Sequence, residues 1–181
     1  MVCRNVELEA RLIDDLLDLT RIARGKLQLR LQPTDAHELV QDAIEIVRAD
    51  INSRRIQLSV ALEAPSDQVN VDPPRMRQVF WNILRNACKF TADTGKISVR
   101  SYNSSPNSIT VEITDTGIGI EPAFLEKIFD AFEQLEMRRE GLGLGLAISK
   151  AIVEMHGGSI RAQSEGSGKG ATFAVTLSVA S

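Results

Sequence analysis

Lys96-Ile97-Ser98-Val99-Arg100-Ser101-Tyr102, then Asn103-Ser104-Ser105-Pro106-Asn107, then Ser108-Ile109-Thr110-Val111-Glu112-Ile113-Thr114 is a pair of alternating, β-branched runs about a polar turn, which predicts an antiparallel hairpin. Upstream, Asp72-Pro73-Pro74 opens a helix to about Phe90, with Asp at the cap and Pro in the first turn. Further back, Ile56 to Leu62 alternates as a strand and Asp35 caps a helix to about Ala49. Downstream come a short helix from Pro122 to Phe129, a long one from Leu144 to Met155, and a closing hairpin of Ser159–Gln163 with Ala171–Val179. Strands arrive in hairpins separated by helices, without regular βαβα alternation. The expected class is therefore α+β: a two-layer sandwich with a mixed, mostly antiparallel sheet and about three long helices on one face.

The opening stretch does not belong to that sandwich. From Val6 to Ile22, Leu8, Leu12, Leu16 and Leu19 recur at three- and four-residue steps, and Ile13 and Leu17 widen the apolar stripe. So broad a face suits a bundle, which one helix cannot build. Gly25 stops the helix, and Lys26 to Gln32 alternates as a strand ended by Pro33. The chain divides on this reading into residues 1–28, the end of a helical element, and residues 29–181, a folded domain.

Composition excludes several functions. Against 24 Asp and Glu stand 21 Lys and Arg, so the cationic excess of a nucleic-acid binder is missing. The uncharged stretch from Gly170 to Ser181 is shorter than the roughly 18 apolar residues of a membrane span. Cys3 and Cys88 form no C-x-x-C pair, and Cys88 sits in an apolar helical pattern as a reduced thiol would, which suggests an intracellular address.

Chemistry is signalled first by glycine. Ten of the 12 glycines fall between Gly117 and Gly170. Asp115-Thr116-Gly117-Ile118-Gly119-Ile120 leaves a β-branched strand, and Gly141-Leu142-Gly143-Leu144-Gly145-Leu146 runs into a helix. Glycines at a helix N-terminus let backbone N–H groups approach an anion, phosphate above all; tight helix packing is the plainer alternative. The spacing is not G-x-G-x-x-G, since position 146 is Leu, and Gly168-Lys169-Gly170 lacks the Ser or Thr of a P-loop. Asp115-Thr116-Gly117 spells an aspartic-protease triplet, but three substantial helices speak against that all-β fold. The second signal is the row Asn82, Asn86 and Lys89, at i, i+4 and i+7 on one helix face. Amide oxygens suit a hard cation such as Mg²⁺, and a lysine suits phosphate oxygens.

Together these segments resemble a known family. Asn82-x-x-x-Asn86-Ala87-x-Lys89-Phe90-Thr91, Asp115-x-Gly117-x-Gly119-Ile120, Phe129-Asp130-Ala131-Phe132-Glu133-Gln134 and Gly141-Leu142-Gly143-Leu144-Gly145 are similar, in this order, to the N, G1, F and G2 boxes of sensor histidine kinases. His156-Gly157-Gly158 and Gly168-Lys169-Gly170-Ala171-Thr172-Phe173 resemble that family's closing segments, and Asp14-Asp15-Leu16-Leu17-Asp18-Leu19 the end of its dimerisation and phosphoacceptor hairpin. The resemblance implies an ATP-binding catalytic domain. Asp115 would accept from the adenine amino group, with Gly117 and Gly119 letting the base approach and Phe90, Ile120 and Thr172 lining its pocket. Asn86 would hold Mg²⁺; Asn82 and Lys89 would contact the phosphates, and Gly141, Gly143, Leu144 and Gly145 would present backbone donors.

One position carries a chemical distinction. Related gyrase, heat-shock chaperone and mismatch-repair ATPases place a glutamate four residues before the metal-binding asparagine to activate water; here Asn82 stands there, and an amide cannot take that proton. The γ-phosphoryl would pass instead to an external histidine. The lid, Leu135 to Glu140, is short, with Arg138 and Arg139 as candidates to reach the γ-phosphate, and Arg139 is assigned a catalytic part. Neither His37, in His37-Glu38-Leu39-Val40, nor His156 has the context of an acceptor. The implied partners are the parent kinase's phosphoacceptor and dimerisation domain, a response-regulator receiver domain, and a second copy held weakly through the N-terminal helix. No nucleic acid or membrane contact is expected, and the address is cytoplasmic. The alternative is a nucleotide-binding regulatory module without transfer activity.

Overall fold

The computed structural model describes residues 2–132 and 143–180, with side chains from residue 13 onward. A long helix, α1 (Val2–Ala23), leads into β1 (Gln32–Asp35) and α2 (Ala36–Ser53), followed by β2 (Gln57–Leu62), β3 (Gln68–Val71) and α3 (Pro73–Phe90). The hairpin β4 (Lys96–Ser105) and β5 (Ser108–Asp115) follows. Two 3-10 turns, α4 (Gly145–Met155), β6 (Ser159–Gln163) and β7 (Ala171–Ser178) complete the described chain.

Five strands form one sheet in the order β2-β4-β5-β7-β6, parallel between β2 and β4 and antiparallel elsewhere. The expected mixed, mostly antiparallel sheet is thus observed. Its inner face carries Ile97 and Val99 of β4, Val111 and Ile113 of β5, and Phe173, Val175 and Leu177 of β7, all buried at alternate positions. Against that face pack α2, α3 and α4. The last two are bridged by a histidine described below, and α2 buries Leu39, Val40, Ala43, Ile44, Val47 and Ile51 at helical spacing.

Caps fall where the sequence places them. Asp35 Oδ1 accepts from the N–H groups of His37 and Glu38, and Asp72 Oδ1 from that of Arg75, with Pro73 and Pro74 in the first turn of α3.

Two elements differ from expectation. Lys26 to Leu31 joins no ladder, and the strand is Gln32–Asp35, which pairs antiparallel with β3. Alternating leucines suggest a half-buried strand, yet Leu31 is 51% exposed and only Leu27 is buried; a ladder requires a partner, and β3 reaches back only to Gln32. Pro33 is tolerated because a two-stranded ladder leaves one backbone edge free. The helix expected over Pro122–Phe129 is two 3-10 turns, Pro122–Phe124 and Lys127–Phe129, neither with a side-chain cap. So short a run cannot offset helix nucleation when only Phe129 is buried.

Candidate nucleotide site

The end of α3, the β5 terminus and the start of α4 converge on one concave site. A cavity of about 60 Å³ is lined by Asn86 and Phe90 from α3, Asp115 from β5, Ile118, Gly119 and Ile120 beyond it, Ile128, Leu146 from α4, and Ala171 and Phe173 from β7. The wall is apolar apart from the Asn86 amide and the Asp115 carboxylate. Phe129 stacks edge-on against Phe173, ring centroids 6.4 Å apart, and stiffens the side formed by β7.

Asp115 is buried, and burial raises its carboxyl above the ordinary aspartate range, opposed by backbone N–H groups of Gly117 and Ala171. The Gly117 N–H donates to Oδ1 at 2.8 Å. The chain beyond Asp115 passes close under the end of α3: a Cβ on Gly117 would lie 2.5 Å from the Phe90 carbonyl oxygen, a contact only glycine permits. Gly119 adopts φ +72°, and a Cβ there would meet the Gly166 carbonyl oxygen at 2.0 Å.

That second contact marks the loop that runs from Ser164 to Gly170. Gly168 donates its N–H to Ile118 O at 2.6 Å and Gly170 to Gly117 O at 3.1 Å, pinning the Gly117–Ile120 segment. Ser164 is the knot: its Oγ accepts from the Ile120 N–H at 2.9 Å and donates to Gly170 O at 2.6 Å. The cluster Gly166, Gly168 and Gly170 is the signal that points to this loop; Ser164 itself carries none. Ile128, Leu146, Ala171 and Phe173 were likewise unassigned, because a lining of core-type residues looks like core.

The predicted residues are brought together unevenly. Asn86, Phe90, Asp115, Gly119 and Ile120 share the cavity wall, with Gly117 directly behind. Asn86 is half-buried, and no hydrogen bond within the protein engages its amide among the described residues. Lys89 places Nζ 5.1 Å from the Phe90 ring centroid, beside the same wall.

Asn82 departs from its expected phosphate contact. It is buried, and its Nδ2 donates to Gly145 O and Ser149 Oγ, both at 3.1 Å, so the amide donors that a phosphate would need are bound to the first turn of α4. A Cβ on Gly145 would sit 3.4 Å from the Asn82 amide carbon, in van der Waals contact with it. Gly143 (φ +70°) and Leu144, the N-cap, precede a helix start that no side chain caps among the described residues, an arrangement suited to an anion.

Thr172 also departs from expectation. Its hydroxyl lies 2.9 Å from Thr114 Oγ1, on the sheet face opposite Ala171 and Phe173. Strand alternation makes Ala171 the lining residue. Arg138, Arg139 and Gly141, with the rest of the lid, lie outside the described residues.

The remaining candidates lie outside the cavity lining. Trp81 packs against the core with the Arg85 guanidinium 5.3 Å from its ring centroid. His156 Nε2 accepts from the Asp72 N–H at 3.0 Å while Nδ1 lies 2.7 Å from Ile152 O, which puts the ring proton on Nδ1 and uses both nitrogens. His37 is held by Ser101 and Asp67, well away from the cavity.

Comparison with known proteins agrees with this geometry. Residues 71–181 match the family described as histidine kinase-, DNA gyrase B-, and HSP90-like ATPase. The circadian input-output histidine kinase CikA of Synechococcus elongatus is 37% identical over 92% of this chain, which covers 22% of that protein. The mycobacterial sensor histidine kinase MprB structure is 30% identical with a TM-score of 0.74, over 83% of this chain and 98% of that one. Full-length ShkA, solved in complex with AMPPNP, superimposes with a TM-score of 0.83 at 27% identity, over 94% of this chain and 36% of that one. The chain spans less than half the length of the curated relatives it matches. Among the described residues no helix is long and apolar enough to cross a membrane.

Proposed function

The chain belongs to the histidine kinase-, DNA gyrase B-, and HSP90-like ATPase family as a sensor-histidine-kinase ATP-binding domain, and from that premise we propose that it binds Mg-ATP and transfers the γ-phosphoryl to a histidine on a separate phosphoacceptor hairpin. The observation that carries the reading is the buried Asp115 carboxylate, which shares an otherwise apolar cavity wall with the Asn86 amide. The base lies between Phe90, Ile120 and Phe173, and its amino group donates to Asp115. Guanine would present a carbonyl there, acceptor against acceptor, leaving buried groups unpaired at a cost of about 1–3 kcal/mol. The triphosphate runs toward the α4 N-terminus, where the backbone N–H groups of its first turn donate, and Lys89 neutralises charge from the α3 side. Asn82 positions that turn through its bonds to Gly145 and Ser149.

An amide oxygen with no hydrogen-bond partner among the described residues, beside a phosphate path, fits a hard cation that keeps several waters, and Asn86 would hold Mg²⁺ in this way. An ion held there would supply positive charge to offset that of the phosphate oxygens. Transfer breaks the bond between the γ-phosphorus and its bridging oxygen, joins phosphorus to the incoming imidazole nitrogen, and releases ADP. Asn82 stands where a water-activating base would act, and its amide cannot take that proton. Arg139, outside the described residues, is the proposed cation for the γ-phosphate. Residues 1–28 are assigned to the dimerisation and phosphoacceptor element, through which a second copy associates weakly, and residues 29–181 to the catalytic domain. A receiver domain takes the phosphoryl group onward in the cytoplasm.

Two measurements test the proposal. Calorimetric titration should give saturable ATP binding in Mg²⁺, weakened by Asn86→Ala and by chelator, with GTP at least about tenfold weaker; equal affinity for the two nucleotides contradicts the Asp115 assignment. With γ-labelled ATP the chain alone should remain unlabelled while a separately supplied acceptor hairpin acquires an acid-labile phosphoramidate. Label at His37 would overturn the assignment of the acceptor. Saturable ATP binding with no transfer to the hairpin would make the chain a nucleotide-binding regulatory module.

A further inference from the structure

Away from the nucleotide cavity, three side chains with metal-ligating atoms meet where β1 passes into α2. Asp35, His37 and Asp67 each offer one such atom, all within 4.8 Å of one another. They come from different segments that the backbone fixes: Asp35 pairs with Gln68 in the β1–β3 ladder, and the Ala36 N–H donates to Asp67 O at 2.9 Å. No lysine or arginine among the described residues pairs with Asp35 or Asp67. The nitrogen that faces Asp67 is that of His37 itself, whose Nδ1 lies 3.4 Å from Asp67 Oδ2.

The ring is aimed from behind. His37 Nε2 lies 2.8 Å from the hydroxyl of Ser101 on β4, which is 3% exposed and already accepts from the Ala64 N–H at 3.1 Å. Ser101 Oγ has a second lone pair. When it accepts a proton from Nε2, the imidazole carries its hydrogen on the Ser101 side and turns an unprotonated Nδ1 toward the two carboxylates. A buried partner that fixes the tautomer and orientation of a ligating histidine is the usual companion of a metal site.

The geometry points to a binding site for a borderline divalent cation of the Zn²⁺ type, and we propose that Asp35, His37 and Asp67 ligate it through one imidazole nitrogen and two carboxylate oxygens, with Ser101 as positioning residue. One nitrogen and two oxygens on half-exposed groups leave coordination positions open to water, and an imidazole donor favours such an ion over Mg²⁺ or Ca²⁺. Asp35 can serve without uncapping α2, because Oδ1 holds the cap and a carboxylate has a second oxygen. The site is separate from the nucleotide cavity: Ser101 pairs with Val111, four residues along β5 from Asp115, which is about 13 Å at strand rise. A cation here would tie the β1–β3 ribbon and the start of α2 together.

The test is a Zn²⁺ titration of the whole chain, without nucleotide and in Mg²⁺-containing buffer, followed by calorimetry and by the shift in unfolding temperature. One saturable equivalent that stabilises the fold is expected. Ser101→Ala should weaken it about 10–100-fold, and His37→Gln or Asp67→Asn at least as much. Asp35→Asn keeps the helix cap, so it remains informative if another variant fails to fold; it too should weaken the site. Co²⁺ supplies a spectroscopic signature, expected to lack a thiolate charge-transfer band. Absence of saturable binding, binding indifferent to Asp35→Asn and His37→Gln, or a thiolate band placing the metal at cysteine would each overturn the proposal.

Discussion

At the scale of single residues, function and stability pull Asp115 in opposite directions. Burial raises its pKa, so the folded chain holds that proton more tightly than the unfolded chain does. Between the ordinary aspartate value near 3.8 and the raised folded value, this group therefore lowers stability as pH rises, and the domain carries that cost at neutral pH. Base recognition needs the ionised form. Adenosine, which has no phosphate to titrate, should bind less tightly as pH falls through the raised range, with proton uptake by the free protein; affinity that stays flat well below neutrality would contradict the Asp115 role. Ser164 makes a sharper case, since its hydroxyl joins Ile120 to the Gly170 turn. Ser164→Ala leaves both groups without their partner and should weaken ATP binding by about 1–3 kcal/mol while the fold persists. Unchanged affinity in calorimetry would show that the loop does not set the pocket. Asp115 was legible because a carboxylate followed by two spaced glycines has few structural uses. Ser164, in a serine- and glycine-rich turn, was not, and Thr172 was misplaced because one step along a strand changes the face.

At the scale of elements, α3 bears the most, carrying Asn82, Asn86, Lys89 and Phe90 on one helix. Its legibility rests on local chemistry: Asp72, two prolines and a three-and-four apolar rhythm all specify the same helix. The failures occur where local pattern and tertiary partner disagree. Leu27, Leu29 and Leu31 alternate like a strand but have no ladder beside them. β3 was invisible at four residues, and the turns near Phe124 lack both caps and burial. What holds α3 against α4 is equally non-local. Asp72 caps α3 with its side chain and donates its N–H to His156 at the end of α4, while the other ring nitrogen meets Ile152 O. One imidazole thus joins the start of one helix to the last turn of the next. His156→Ala should lower unfolding free energy by about 1–3 kcal/mol, read as a fall in the urea midpoint at constant m-value. A midpoint equal to wild type would make the brace redundant.

At the scale of the whole molecule, the question is how α1 is joined to the sandwich. Its outward face leaves Ile13, Leu16 and Leu17 between 40% and 59% exposed, and its inner side sets Leu19 and Ile22 against the core. Between these lies a polar clasp. Asp18, 7% exposed, accepts from Arg75 Nη1 at 2.5 Å and from Gln78 Nε2 at 3.3 Å, both on α3. The sequence shows Asp18 only as one acid among five in α1; nothing local distinguishes a carboxylate that faces water from one that faces an arginine 57 positions on. Because Asp18 is desolvated, truncating Arg75 leaves a buried charge with one amide for company. That loss approaches the roughly 3–5 kcal/mol of a broken buried pair, reduced because the Arg75 side chain is 24% exposed. Truncating both partners removes the orphaned charge together with the attraction. Asp18→Ala, Arg75→Ala and the double variant should accordingly be non-additive, with a coupling energy of about 0.5–3 kcal/mol in urea unfolding. The Asp72 cap is untouched throughout, since it uses the Arg75 backbone N–H, so the coupling reports the clasp alone. Strict additivity would mean that α1 is held by Leu19 and Ile22 without it.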